Sequence, residues 1–333
     1  MWWWQLAGTL ASPTEAGFEP VSGPVAPATY NPAMRSSAIS GATVLLCVAL
    51  WPDAPAFADG TALPGIRPLG TGGAMRAAAT GDAGPMLNPS GISLMHSYSA
   101  ESAYAYGSSD STHDLRVSVV DSTSGLNIGG ALFYTYHKGS PAGSKQSGQL
   151  GGGSLSFPLG DVVFLGGTAK YIDLLTESNG CMFIKKGFTF DAGVTVRPMQ
   201  YLALAVVGYN LTNPGISFAP LAIGGGLSLS AFPGLLLLLD SVLERGYVDP
   251  TSPQSTPHGK AYYVMGGGEY LGKSIAARLG GGRDGLNKNG YLSGGMSAVS
   301  TVGSLDISVR QDISGDRKST YVGVAARLFV PTN

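Results

Sequence analysis

Charge is scarce in this chain: Asp, Glu, Lys and Arg make up 12% of its 333 residues, against about 25% in an average soluble domain. The formal net charge of -1 leaves no basic field, and Lys and Arg are scattered singly, which argues against a nucleic-acid partner. Long apolar runs are missing too. Outside the N-terminal region nothing approaches the roughly 20 residues a spanning helix needs, and the run Leu235 to Leu239 stops at Asp240. A bundle of membrane helices is excluded.

Cysteine is nearly absent. Cys47 lies in an apolar N-terminal run and Cys181 stands in a polar connection, so no disulfide framework and no thiolate metal site can be built. The four histidines, His96, His113, His137 and His258, fall at expected strand ends or in loops with no nucleophile motif around them, and read as solvated polar residues. No His-x-x-x-His pair and no Asp-rich calcium loop occurs. The expectation is a protein that is not an enzyme and carries no cofactor or metal.

What the chain has instead is glycine, 50 residues of it, and a two-residue hydrophobic period. Leu126, Ile128, Gly130, Leu132, Tyr134 and Tyr136 alternate with Asn127, Gly129, Ala131, Thr135 and His137. Phe188, Phe190, Ala192, Val194 and Val196 alternate with Thr189, Asp191, Gly193, Thr195 and Arg197. Further on, Leu305, Ile307 and Val309 alternate with Asp306, Ser308, Arg310 and Asp312, and Val322 to Val330 alternate with Tyr321, Gly323, Ala325 and Arg327. Strands with one face to lipid and the other to a lumen have this signature.

Segmenting residues 94–333 at the turn signals gives about fourteen strands. Tight connections such as Leu159 to Asp161 and Ala231 to Pro233 alternate with longer ones such as Leu174 to Ile184 and Leu243 to Gly259. Outer-membrane barrels sort their periplasmic turns and external loops in this way; a soluble β-sandwich has no reason to. The fold expected is all-β, a transmembrane antiparallel β-barrel in the bacterial outer membrane, with both chain ends on the periplasmic side. Tyr104, Tyr106, Tyr134, Tyr136, Tyr262, Tyr263 and Tyr270 fall at strand ends, as interfacial girdles do.

Ahead of the barrel, Met34-Arg35, the apolar stretch Ala42 to Trp51 and Ala56-Phe57-Ala58 form the three parts of a cleavable signal peptide over 34–58. The mature chain is expected to start at Asp59, with residues 1–33 a misannotated or disordered leader; the alternative is a buried helix at 39–51. Residues 59–93 are not strand-like. They are long enough to fold into the lumen as a plug.

That segment carries Leu69-Gly70-Thr71-Gly72-Gly73-Ala74-Met75-Arg76-Ala77-Ala78-Ala79 and then Met86-Leu87-Asn88-Pro89-Ser90-Gly91-Ile92. It resembles the glycine- and alanine-rich N-terminal segment, ending in Asn-Pro-Ala-Gly, of the FadL-like outer-membrane transport proteins, whose PorV-like branch is included; Ser90 stands for the alanine. The resemblance implies a fourteen-stranded barrel, an N-terminal hatch and passage of hydrophobic, fatty-acid-like molecules through an opening in the wall. The hatch residues would be Gly70, Gly72, Gly73, Asn88, Pro89, Ser90 and Gly91. The PorV-like alternative is a scaffold or shuttle for secreted proteins without transport. Expected partners are outer-membrane lipid, a hydrophobic small-molecule ligand and the barrel assembly machinery, although Phe329 is followed by Val330-Pro331-Thr332-Asn333 rather than ending the chain.

Two features stay open. Asp191, Arg197, Glu269, Arg278, Asp306, Arg310 and Arg327 fall on the lumen phase, where they either hold the plug or filter a substrate. The clusters Gly151 to Gly153, Gly224 to Gly226, Gly266 to Gly268 and Gly280 to Gly282 lack the context of a phosphate loop and mark bends, bulges or close approach of the plug.

Overall fold

The computed structural model describes residues 65–333 except 127, 141–143, 179, 217–218, 248–257, 286–287, 316–317 and 331–333. The expected leader, signal peptide and Cys47 lie outside the described residues.

Fourteen antiparallel strands close into one barrel, each paired with its neighbours in sequence and β1 with β14. In order they are β1 (Tyr98–Gly107), β2 (Thr112–Asp121), β3 (Gly129–Gly139), β4 (Lys145–Leu159), β5 (Val163–Ser178), β6 (Cys181–Met199) and β7 (Leu202–Tyr209). The second half is β8 (Leu221–Phe232), β9 (Leu235–Tyr247), β10 (His258–Leu271), β11 (Ile275–Asp284), β12 (Asn289–Val299), β13 (Gly303–Asp312) and β14 (Thr320–Val330). Tyr98 sits opposite Val330, so the first and last strands meet at one rim.

The two-residue period is realised as two chemically different faces. Leu132, Phe188, Leu305 and Leu328 are exposed on the outside, while Thr135, Thr189, Asp306 and Ser308 are buried inside. In water such an exterior would collapse; in a bilayer it needs no cover, and closure leaves no edge strand to satisfy, every strand having a neighbour on both sides. The run Leu235 to Leu239 breaks the rule. Leu236 and Leu238 are buried inward while Leu237 and Leu239 face out, so leucine lines both faces of β9 there.

Several boundaries differ from expectation. Leu94 does not open β1: Pro89–Leu94 is a 3-10 turn and the strand begins at Tyr98. The connection expected over 174–184 is mostly ladder, paired out to Ser178 and Cys181, so Cys181 starts β6 instead of sitting in a loop. Extended chain in a hairpin satisfies backbone groups that a polar loop would leave to water, and composition alone does not separate the two. Tyr263 is inward and buried, donating to Glu244 at 2.8 Å, and is not part of an interfacial girdle. His137 is likewise buried, 2.7 Å from Asp114, and not solvated.

Cys181 is free and exposed at the end of the β5–β6 hairpin. In a Cys47→Ser background, a membrane-impermeant maleimide is expected to label it on intact cells. Labelling that needs prior permeabilisation would invert the assigned orientation.

Candidate functional site

Residues Gly65 to Leu94 run through the lumen as a series of single turns. A helical turn (Ile66–Gly70) lies against β11 to β14, the 3-10 turn Arg76–Ala78 against β7 and β8, and the turn Gly81–Ala83 against β1 and β2. The helical turn Gly84–Leu87 and the closing turn Pro89–Leu94 follow, the latter against β3 to β6. Such short turns leave many backbone groups without helical partners, and the wall supplies them.

Asn88 is the centre of that supply. Its Nδ2 donates to the Arg76 carbonyl and to Thr195 Oγ1, each at 2.8 Å, and its Oδ1 accepts from Ser90 N at 3.2 Å and Ser90 Oγ at 2.7 Å. Both residues are fully buried. Ser156 Oγ on β4 donates to the Ser90 carbonyl at 3.1 Å, and Tyr209 OH donates to the Leu87 carbonyl while accepting from Arg76 Nε at 2.8 Å. Pro89 and Ser90 lie directly on the backbone of Gly166, and Asn88 Oδ1 on Gly193; a Cβ at either glycine would overlap them.

The other end is seated in the same way. Gly72 has φ +74, and a Cβ there would meet Gly281 N at 2.7 Å. The Gly72 carbonyl accepts from Tyr291 OH at 2.8 Å and the Gly70 carbonyl from Ser293 Oγ at 3.2 Å. Gly73 has φ +84, and Gly91 lies against the Ala79 carbonyl. Three glycine clusters of the wall thus face the segment: Gly224 and Gly226 beneath Arg76, and Gly267 and Gly280 beneath Thr71. The fourth does not, since Gly152 lies beneath the ring of Phe133 and the Ala169 carbonyl.

Ion pairs tie the segment to the wall at three points. Arg67 donates to Glu269 at 2.6 and 2.9 Å; Glu269 also accepts from Arg278 Nε at 2.5 Å, and Arg278 reaches Asp306 at 3.1 Å. Arg327 bridges Asp82 at 2.8 Å and Glu101 at 2.5 Å. Arg76 lies 3.1 Å from Asp240, which also accepts the backbone N–H groups of Met75 and Arg76 at 2.8 Å.

Of the seven lumen charges singled out from the sequence, Glu269, Arg278, Asp306 and Arg327 therefore belong to this network. The other three do not. Asp191 pairs with Lys170 at 2.7 Å and accepts from Asn210 N at 2.8 Å. Arg310 stacks 3.8 Å from the Tyr291 ring centre and faces Asp312 and Asp284, all on the wall. Arg197 is half-buried near the end of β6, 5.3 Å from the Phe164 ring.

Sequence reasoning missed Arg67, Arg76 and Asp82, yet they are the only charged residues between Gly65 and Leu94. A charge in an otherwise small and apolar segment inside a barrel needs a buried partner, and that signal was available. Asp240, which ends the leucine run, was the matching signal in the wall.

One side of the lumen is apolar. Phe133, Leu150, Ile172 and Leu174 on the inner faces of β3, β4 and β5 pack with Ile216 and Ala219 from the β7–β8 connection, and Met86 rests against them. Beside this cluster the wall is thinly made. β7 ends at Tyr209 and its ladder with β6 reaches only Ala192 opposite Gly208. Further along, the β6 edge meets residues 210–216 through Leu211 N to the Phe190 carbonyl at 2.8 Å, Thr212 Oγ1 to the Phe188 carbonyl at 2.9 Å and Lys185 Nζ to the Gly215 carbonyl at 2.7 Å.

The most informative likenesses are to solved structures. A FadL homologue of Pseudomonas aeruginosa superposes with a TM-score of 0.62 at 11% identity, over 83% of this chain and 99% of that one. The fold is that of the FadL-type barrels. The Ralstonia pickettii toluene transporter TbuX matches with a TM-score of 0.61 at 12% identity, over 80% of this chain and 99% of its own. The Pseudomonas putida toluene transporter TodX matches at 0.58 and 9%, over 83% and 99%. No family model and no curated protein matches the sequence.

Proposed function

We propose that this chain, exported by the signal peptide at 34–58 with a mature start at Asp59, is an outer-membrane channel for hydrophobic small molecules. Residues 65–94 act as its hatch. The observation that carries this reading is the apolar cluster of Phe133, Leu150, Ile172 and Leu174, set above the hatch in a lumen whose wall elsewhere carries many hydroxyls and paired charges. An uncharged solute gains by burial there what it does not gain against the ion-paired walls. Two of the structural neighbours are toluene transporters, which supports the same solute class.

The passage of such a solute is assigned to the β6 edge. Elsewhere an opening in the wall breaks a whole ladder; beside residues 210–216 it breaks the three bonds named above and that of Asn210 N–H to Asp191, and withdraws Ile216 from the apolar cluster. Phe188, Phe190 and Leu211 face outward at this place, so a solute leaving sideways meets apolar side chains.

A reversible cross-link tests this. A Cβ at Gly187 would lie 3.1 Å from Pro214 Cβ, close to the roughly 3.5–4.5 Å of a disulfide. With Cys181 replaced by serine, the oxidised Gly187→Cys/Pro214→Cys protein in liposomes is expected to lose about nine-tenths of its uptake of a neutral apolar dye, a change of roughly 1.4 kcal/mol in barrier, and to recover it on reduction. If the parent protein takes up no dye above empty liposomes, the channel itself is refuted and a scaffold for secreted proteins is favoured. If oxidised and reduced forms transport alike, the channel stands and the route at β6 falls.

A further inference from the structure

The outer face opposite β6 carries a groove of about 680 Å³ across β11 to β14, β1 and β2. Register explains it. Ser102, Ala326, Leu305 and Ala298 occupy one level of the ladder, in direct pairs across four strands, and three of these four side chains are small. One level towards the external rim stand Tyr104, Val324, Ile307 and Met296, all large. A trough with a raised margin results, walled almost wholly by apolar atoms. It ends at Ile275, the first residue of β11, two positions after the exposed Lys273 in the β10–β11 turn.

Membrane-facing surface cannot be filled by water, and an empty trough forfeits dispersion contacts along its whole length. The occupant must be a flexible hydrocarbon chain that reaches in obliquely from the periplasmic end. Lys273 places a cation at that end, where a phosphate headgroup lies within the leaflet boundary. We propose that this groove binds one acyl chain of a phospholipid from the periplasmic leaflet, with its phosphate against Lys273. The site lies on the far side of the barrel from the β6 edge and is independent of whether the lumen conducts.

Native mass spectrometry of the full chain, purified in mild detergent, tests the proposal. The parent is expected to retain one phospholipid. Ala326→Leu, which fills the trough from its floor, is expected to reduce the lipid-bound fraction at least about fivefold, and Lys273→Ala about twofold. Ala298→Leu is a second filler, and heat-modifiable migration verifies that each variant is folded. The proposal is overturned if the parent holds no phospholipid, if the retained species is lipopolysaccharide, or if both fillers bind phospholipid as the parent does.

Discussion

Replacing Gly166 and Gly193 together by leucine is expected to push the Asn88–Gly91 turn off the wall and to raise the conductance of the barrel for small ions in planar bilayers at least about tenfold. A Cβ at Gly193 overlaps Asn88 Oδ1, and one at Gly166 overlaps the Pro89–Ser90 backbone. Neither obstacle is the flexible end of a long side chain, so the neighbour cannot simply rotate away. Overpacking of a tight interior costs about 1–3 kcal/mol per site. The displaced Asn88 would also forfeit its bonds to Arg76 and Thr195, each worth about 1 kcal/mol net. The opposing hold is the ion pairs of Arg67, Arg76 and Asp82, all N-terminal to the displaced turn, so the expected product is a half-released segment in an intact barrel. The strands themselves keep every ladder bond, and heat-modifiable migration should persist. Unchanged conductance with a folded barrel would show that Asn88–Gly91 does not seal the lumen.

Asp240→Ala is expected to destabilise the folded protein by about 3–5 kcal/mol, the range for removing one partner of a buried ion pair. Asp240 is 2% exposed, and its Oδ2 accepts both the Arg76 guanidinium and two consecutive backbone N–H groups. Alanine leaves two amides without their acceptor and a buried cation without its counter-charge, with the neutral Tyr209 hydroxyl as its remaining wall partner for Nε. Asp240→Asn keeps a neutral acceptor for the amides and should cost less. Pairing Asp240→Leu with Arg76→Met removes both charges and should recover much of the loss, because the pair's own net contribution is small once desolvation is counted. Urea unfolding in lipid vesicles reads these differences. A double variant as unstable as Asp240→Ala alone would mean that the backbone amides, not the guanidinium, are what Asp240 serves.

The barrel itself was legible in the sequence because its driving pattern is local. Along a strand the side chains alternate between two solvents, and residues such as Phe188 and Thr189, or Leu305 and Asp306, state their faces without reference to anything distant. Strand number and the shared rim of the two chain ends followed from that period and its interruptions. The extension of β5 past Asp173 and of β6 ahead of Lys185 did not, since Leu174 to Ile184 reads equally well as a polar connection; only the pairing of Ser178 with Cys181 distinguishes them.

The site was legible to a smaller degree. The sequence determined that residues 59–93 are not strand-like, that their glycines allow close approach and that charges such as Glu269 and Asp306 point inward. Which charge meets which was decided by tertiary structure alone: Arg67 with Glu269 and Arg76 with Asp240 join residues 202 and 164 positions apart, and closure of the barrel sets those distances. The inward alternation gives Asp191, Glu269 and Arg310 the same phase, yet only Glu269 touches the segment. Phase fixes the face of a strand; position around the wall and height along it come from register and closure, which no local period encodes.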